Sequence, residues 1–485
     1  MIVTLDLGTT SVRCLAITKN GTCIAIEQQE FKQYFPQAAW VEHDATEIWQ
    51  KTITVLQTIL KKIKNNPDGI AITNQRETTV AWERSTGKPL HHAIVWQCRR
   101  TSERMSNLSE SDKKYIKKTT GLIPDAYFSA SKMEWLYQNI KTVQQAAKKN
   151  DLCFGTIDSW ILFNLSKSAV FKTDTSNASR TLLVDLNTQN YDPNLLKLFK
   201  IQQDWLPKIE NSNTLFDYTK TSITGSEIPI HAILGDQQSA LYAQCGTNTN
   251  SIKNTYGTGL FVASPTGDTI IETPSLLTTI AWTLNNKTTY ALEGSIFIGG
   301  SAIQWCRDQL NLIKHASESD ALASSIPDND NIYFVPALTG LGAPYWDSSA
   351  RGMFIGITRS TTKAHMIRAV LESLAYQTKD VCDLMNKINT NSTQLCVDGG
   401  ASQNQFLMQF QANILGIPVT KSSITEVTAY GVAGIAGIAL NIFSEKEFRT
   451  FFNNKQHYKP MFDKKKIDVY YSKWKDAIAR SLKWS

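Results

Sequence analysis

Two Gly-Thr turns, each set between apolar runs, stand about 250 residues apart: Gly8-Thr9-Thr10 in LDLGTTSVR (Leu5–Arg13) and Gly257-Thr258-Gly259 in NTYGTG. Around the first, residues 2–7 read as a buried strand, SVRCLAIT as a second, Asn20-Gly21 as a hairpin signal and TCIAIEQQEF as a third strand. Asp44 with Glu47 three residues later resembles a capping box opening a helix through IWQKTITVLQTILKKIK, and GIAITNQ follows beyond Pro67 as a further strand. Around the second turn, SIKNTYGTGLFVAS is two strand-like runs, TTIAWTL and TTYALEG follow, and GSAIQWCRDQLNLI reads as a helix. The recurrence is architectural rather than residue by residue. It predicts two similar α/β domains carrying facing turns, residues 1–246 and 247–485.

Length agrees, because 485 residues exceed the roughly 250–300 at which a single core stops growing. The net charge of +7 comes from 50 Lys and Arg against 43 Asp and Glu spread along the chain, so no basic stripe of the kind nucleic acid needs is formed. Short runs such as Lys113–Lys118 and Lys464–Lys466 read as solvated surface. Eight cysteines form no CxxC pair, which suits reduced thiols in a cytoplasmic enzyme, and the seven histidines make no metal-ligand pattern. MIVTLDLG lacks the features of a signal peptide, and YGVAGIAGIALNIF from Tyr430 is short and Gly-interrupted, so a packed interior helix is expected and no membrane insertion.

A polyphosphate wants backbone N–H groups at tight turns, hydroxyl donors and a carboxylate-held metal. DLGTTS supplies these in one turn and YGTG offers a second, with Asp6 able to hold Mg2+ directly or through water. Each turn taken singly reads more readily as an ordinary hairpin; the matched pair favours phosphate. VDGGASQNQF (Val397–Phe406) ends a strand with a double Gly and opens a helical run, either a ligand cradle or a close packing turn.

GIAITNQRETTVAWE delivers Thr73, Asn74, Gln75, Arg76 and Glu77 to a strand's carboxyl end, where α/β sheets place ligands. Arg76 and Glu77 could donate to and accept from substrate hydroxyls; an exposed ion-paired loop is the competing view. AIVWQCRR sends Trp96 to a comparable position, to cover an apolar carbon edge or to fill a core. In HAILGDQQSALYAQ an apolar strand ends at Gly235 and Asp236 begins a helix, as a cap or as a general base within reach of a hydroxyl.

These segments, together with WVEHDATEIW, TDTSNASRT, LTGLGAPYWD and the signature-like YFSASKMEWLYQN and GMFIGITRSTTKAHMIRAVLE, resemble the FGGY family of carbohydrate kinases over effectively the whole chain, and within it the members acting on glycerol. The resemblance implies an α/β fold of two ribonuclease H-like (actin-like ATPase) domains flanking a central cleft, the first mainly for glycerol and the second mainly for ATP. It implies glycerol contacts at Arg76, Glu77, Trp96, Tyr127, Asp236, Gln237 and Phe261, with Asp236 as the catalytic base. Nucleotide contacts fall on Thr9, Thr10, Ser11, Arg13, Thr258, Gly300, Gln304, Gly400 and Asn404, and Mg2+ on Asp6. The implied reaction turns ATP and glycerol into ADP and sn-glycerol 3-phosphate, in a cytoplasmic homodimer or homotetramer. Leu7 departs from the Gln that many glycerol-phosphorylating members carry, and DYTKTSITGSEIPI lacks both the Gly-rich sugar-bisphosphate loop and the phosphorylatable His of regulated members. Two alternatives stand beside this reading: a relative acting on another polyol or ketose, such as xylulose or gluconate, and a non-catalytic binding protein on the same scaffold.

Overall fold

In a computed structural model, which describes residues 1–388 and 392–484, two sheets are built on one plan. The first contains β1 (Ile2–Leu7), β2 (Ser11–Ile17), β3 (Cys23–Glu30), β4 (Gly69–Asn74) and β5 (Pro229–Gly235), in the order β3-β2-β1-β4-β5, with a short edge strand Asp217–Tyr218 beyond β5. The second contains β6 (Ser251–Tyr256), β7 (Leu260–Gly267), β8 (Leu277–Leu284), β9 (Lys287–Ile296), β10 (Gln394–Asp398), β11 (Val419–Ser422) and β12 (Lys455–Tyr458), in the order β8-β9-β7-β6-β10-β11-β12. In each, the first strand pairs antiparallel with the hairpin strand after it and parallel with the strand on its other side. The two Gly-Thr turns therefore occupy the same topological place, closed by Gly8 N–H donating to Ser11 O (3.0 Å) and Gly257 N–H donating to Gly259 O (3.0 Å).

The helices that bear on the site are α1 (Ala45–Lys62), α2 (Ser129–Asn139), α3 (Asp236–Cys245), α4 (Gly300–Asp308), α5 (Lys363–Ile388), α6 (Gln405–Leu415) and α7 (Val427–Ala439). Helix α1 buries Ile48, Val55, Leu56 and Ile59 on the first sheet. Its expected capping box is not formed: Asp44 accepts from Thr46 N at 2.8 Å, while the Glu47 carboxylate turns to the Lys32 N–H. A complete box stands instead at Ser444 and Glu447.

Helices α3 and α7 pack on each other between the two sheets, in one apolar cluster that joins Ile2, Ala71 and Leu234 of the first sheet to Ala263, Trp282 and Cys396 of the second. Such an approach requires a helix face without side chains. A Cβ on Gly431 would stand 1.9 Å from Ser239 O, and one on Gly434 2.4 Å from the Phe448 ring. The Tyr430 segment is thus the interior helix expected from its glycines, and among the described residues no helix is long and apolar enough to cross a membrane. It also returns late chain to the first sheet. Lys117 corrects the reading of its run as solvated: it is half-buried and donates from Nζ to Gly121 O (3.1 Å) and Leu276 O (2.6 Å).

Candidate active site

The carboxyl ends of β1, β4 and β5 lie level, since Leu7 pairs with Asn74 and Asn74 with Gly235. Asp6, Arg76 and Asp236 consequently gather at one edge. The chain beyond β4 is buried rather than an exposed ion-paired loop: Asn74, Gln75, Arg76 and Glu77 are all 2% exposed or less. Beneath it, Asn74 and Asn177 exchange side-chain amide hydrogen bonds (2.9 and 3.1 Å), and Ser176 Oγ accepts from Gly235 N at 2.9 Å, fixing both strand ends. Glu77 holds a left-handed φ of 61°, uncommon for a residue with a side chain and a recurrent feature of functional turns.

Arg76 organises the polar side of the pocket. It donates from Nη1 to Glu293 Oε2 (2.5 Å) and Gln238 Oε1 (3.2 Å), and from Nη2 to Glu293 Oε1 (3.2 Å) and the Tyr127 hydroxyl (3.3 Å). Its Nε lies 3.4 Å from Asp236 Oδ1 and 3.8 Å from Glu77 Oε1. Arg180, fully buried, donates to Glu77 Oε1 (2.6 Å) and Glu293 Oε1 (2.9 Å). Five charges thus meet in a volume with little water, where each carboxylate's desolvation must be offset by a guanidinium. Burial raises the Glu77 carboxyl against the pull of Arg76 and Arg180; at Glu293 burial is outweighed by Arg180 and Arg76, which bring it down to about 2.

The apolar side comes from both halves of the chain. Trp96, beyond the two-residue strand Ala93–Ile94, meets Tyr127 edge-on with ring centres 5.7 Å apart and Phe261 of β7 at 6.0 Å. Its indole N–H donates to Thr9 Oγ1 at 3.0 Å. Between the two sides Asp236, first residue of α3, accepts from Gln237 N at 2.7 Å and is raised by burial against Arg76 and Lys253. Gln237 itself is held through Oε1 by Lys253 Nζ (2.7 Å).

Around the first turn, Ser11 Oγ accepts from Gln28 Nε2 (3.1 Å) and Thr10 is exposed. Arg13 donates to Gln28 Oε1 (3.0 Å) and Glu426 Oε2 (2.9 Å), with its Nη1 3.9 Å from Asp6. Burial pushes the Asp6 carboxyl up to about 7, Arg13 opposing and Asp236 and Glu426 adding to the rise. A carboxylate this desolvated, with its nearest guanidinium at 3.9 Å and a second carboxylate close enough to be felt, fits a hard cation held by oxygen. Leu7 points into the apolar core, so the substitution at this position does not touch that edge.

Around the second turn, Gly300 N–H, opening α4, donates to Gly257 O (2.8 Å), and Thr258 O accepts from Gly299 N (2.8 Å). A Cβ at Gly300 would lie 2.9 Å from Gly257 O and 3.9 Å from the Ala401 side chain, so the Gly399-Gly400 bend adjoins the turn. Gly399 has φ 88° and would meet Tyr256 backbone, whereas Gly400 faces open space. Gln304 is exposed one turn along α4. Asn404 follows the same bend, its N–H donating to Ala401 O (3.2 Å), but its side chain is engaged elsewhere: Oδ1 caps α6 through Leu407 N (2.8 Å) and Nδ2 donates to Ser319 Oγ (3.1 Å).

Sequence reasoning missed Glu293, Arg180, Glu426 and Lys253. Two signals were available: a lone carboxylate in the apolar run TTYALEGSI, and an arginine closing TDTSNASRT, charges that burial tolerates only when paired.

Two sheets that share a central pattern, a first strand flanked by its antiparallel hairpin partner and by a parallel strand, each with a glycine-threonine turn after that first strand, define an actin-like ATPase fold of two ribonuclease H-like domains. Models of the N-terminal and C-terminal domains of the FGGY family of carbohydrate kinases match residues 1–243 and 252–440, and the chain belongs to that family. It is 46% identical over 490 residues to glycerol kinase 2 of Thermotoga maritima, covering 100% of this chain and 99% of that one. It is 47% identical over 491 residues to the glycerol kinase of Aquifex aeolicus, with 100% and 99% covered. Among solved structures, Plasmodium falciparum glycerol kinase with ADP superposes with a TM-score of 0.92 at 34% identity over 99% of this chain and 98% of that one. A xylulose kinase from Lactobacillus acidophilus, at TM-score 0.87 and 22% identity over 99% of each chain, shares the fold.

Proposed function

We propose that this chain transfers the γ-phosphoryl group of ATP to glycerol, releasing ADP and sn-glycerol 3-phosphate. The observation that carries the reading is a pocket whose polar side is Arg76 and Asp236, with Nε and Oδ1 3.4 Å apart, and whose apolar side is Trp96 and Phe261, 6.0 Å apart. A small polyol has this character, hydroxyls on one side and a thin C–H edge on the other. Arg76 and Glu77 would bind hydroxyls, Tyr127 and Gln237 would complete the polar wall, and the two rings would cover the carbon edge.

Asp236 would take the proton of a primary hydroxyl as that oxygen attacks the γ-phosphorus. Burial makes its carboxylate a better base than one in water, and Gln237 N–H holds Oδ1 so that the group faces one way. Thr9, Thr10, Ser11 and Arg13 would meet the phosphates from one side, and Thr258 and Gly400 from the other, donating to oxygens whose charge grows in transfer, while Gly300, its N–H held by Gly257 O, would let the phosphates approach without a side chain in the way. Gln304 and Asn404 would lie towards the nucleoside. Mg2+, when bound, offsets phosphate charge, and Asp6 would hold it directly or through water. Closing the cleft would exclude water as a competing nucleophile.

The same reading places the domain boundary near Gly246, with α7 of the later chain packed against the earlier domain, and the enzyme in the cytoplasm as a homodimer or homotetramer. The test is a coupled ADP-release assay over a panel of polyols and sugar acids. Glycerol is the preferred acceptor; preference for a pentitol, a ketose or gluconate, or no turnover at all, overturns the reading.

A further inference from the structure

Glu293 lies on β9, in the second sheet, yet its carboxylate reaches the two arginines of the pocket on the first. It is 1% exposed, and it takes both Nη atoms of Arg76, Nη2 of Arg180 and the Ser295 hydroxyl (3.0 Å). A guanidinium gripped at both terminal nitrogens is fixed in plane as well as position, because the paired contacts remove its freedom to rotate. What remains turned towards Asp236 and Glu77 is the Nε edge, at 3.4 and 3.8 Å.

Other carboxylates compete for the same cation. Without the Glu293 charge, Arg76 keeps two oxygens within a short swing, on Asp236 and Glu77, both needed for substrate hydroxyls. Arg180 would keep only Glu77, which would draw that carboxylate deeper. The pocket would then close its own acceptors on its own donors.

We infer that Glu293 is a positioning residue for the phosphoryl acceptor: it keeps both Nη atoms of Arg76 and Nη2 of Arg180 off Asp236 and Glu77, so that the second sheet sets the affinity of a pocket whose hydroxyl-binding groups stand on the first. This rests on the proposed acceptor reading, and the two are tested separately.

In the full-length enzyme, Glu293→Gln keeps shape and removes charge. Its KM for glycerol rises at least tenfold and kcat falls at least tenfold, while KM for ATP stays within twofold of wild type. Glu293→Asp, which keeps the charge on a shorter arm, recovers at least a third of the lost kcat/KM. Calorimetry without nucleotide shows the same loss of glycerol affinity in Glu293→Gln. If that variant does not fold, Glu293→Asp carries the test through the same split between the two KM values. Glycerol constants within twofold of wild type, or equal rises in both KM values, overturn the inference and leave Glu293 a charge that only stabilises the fold. If wild type prefers another acceptor, the function reading fails, and the split is measured with that acceptor instead.

Discussion

The indole N–H of Trp96 donates to Thr9 Oγ1 at 3.0 Å, so the aromatic wall of the pocket and the first Gly-Thr turn share a hydrogen bond. Thr9→Val keeps the shape of the side chain and leaves that N–H without its acceptor. One such bond contributes about 1 kcal/mol, so the glycerol KM at saturating ATP is expected to rise roughly three- to tenfold. Thr9→Ser, retaining the hydroxyl, should keep the wild-type value in the same steady-state assay.

Asp236→Asn removes the proposed base and preserves the outline of the side chain. Turnover is expected to fall by a factor on the order of 10²–10⁴, the usual contribution of a positioned acid or base. Glycerol binding measured by calorimetry should persist. Near-normal turnover would show that another group accepts the proton.

His43 is fully buried, meets Phe31 edge-on at 4.9 Å, and burial pushes its imidazole down to about 4. The unfolded chain takes up a proton near pH 6.5 that the folded chain refuses. Stability from this residue is therefore intact above pH 6.5 and lost as pH falls towards about 4, with a slope approaching about 1.4 kcal/mol per pH unit. Denaturant unfolding at stepped pH should show that decline in wild type and a shallower one in His43→Phe.

Gly431→Ala would set a methyl 1.9 Å from Ser239 O, where backbone faces backbone and no flexible side chain can yield. A loss of at least about 2 kcal/mol is expected in denaturant unfolding, since overpacking at a helix contact forces the elements apart. Gly400→Ala, which meets open space, should leave stability within about 0.5 kcal/mol.

What the sequence made legible was local. Strand, turn and strand lie within about fifteen residues around Gly8 and again around Gly257, so their chemistry is contiguous in the chain. Asp236 was legible for the same reason, as the polar residue that stops an apolar strand. Glu293 and Glu426 were not, because each pairs with an arginine that lies 217 and 413 residues away along the chain. Nothing in TTYALEGSI says which cation the carboxylate meets. The capping box failed on a subtler point: Asp44 and Glu47 are correctly spaced, but the Glu47 carboxylate accepts from the Lys32 N–H instead. The return of α7 to the first sheet also escaped a division of the chain at Gly246, since an apolar helix carries no mark of which sheet it will meet.

Asp236 is the first residue of α3, and α3 lies with α7 between the two sheets. The proposed base therefore rides on the joint of the molecule rather than on either wall. A rocking of one wall on the other would be carried by that helix, and its leading carboxylate would move with it. The gap between the proposed base and its acceptor would then be set at the seam where the two halves meet.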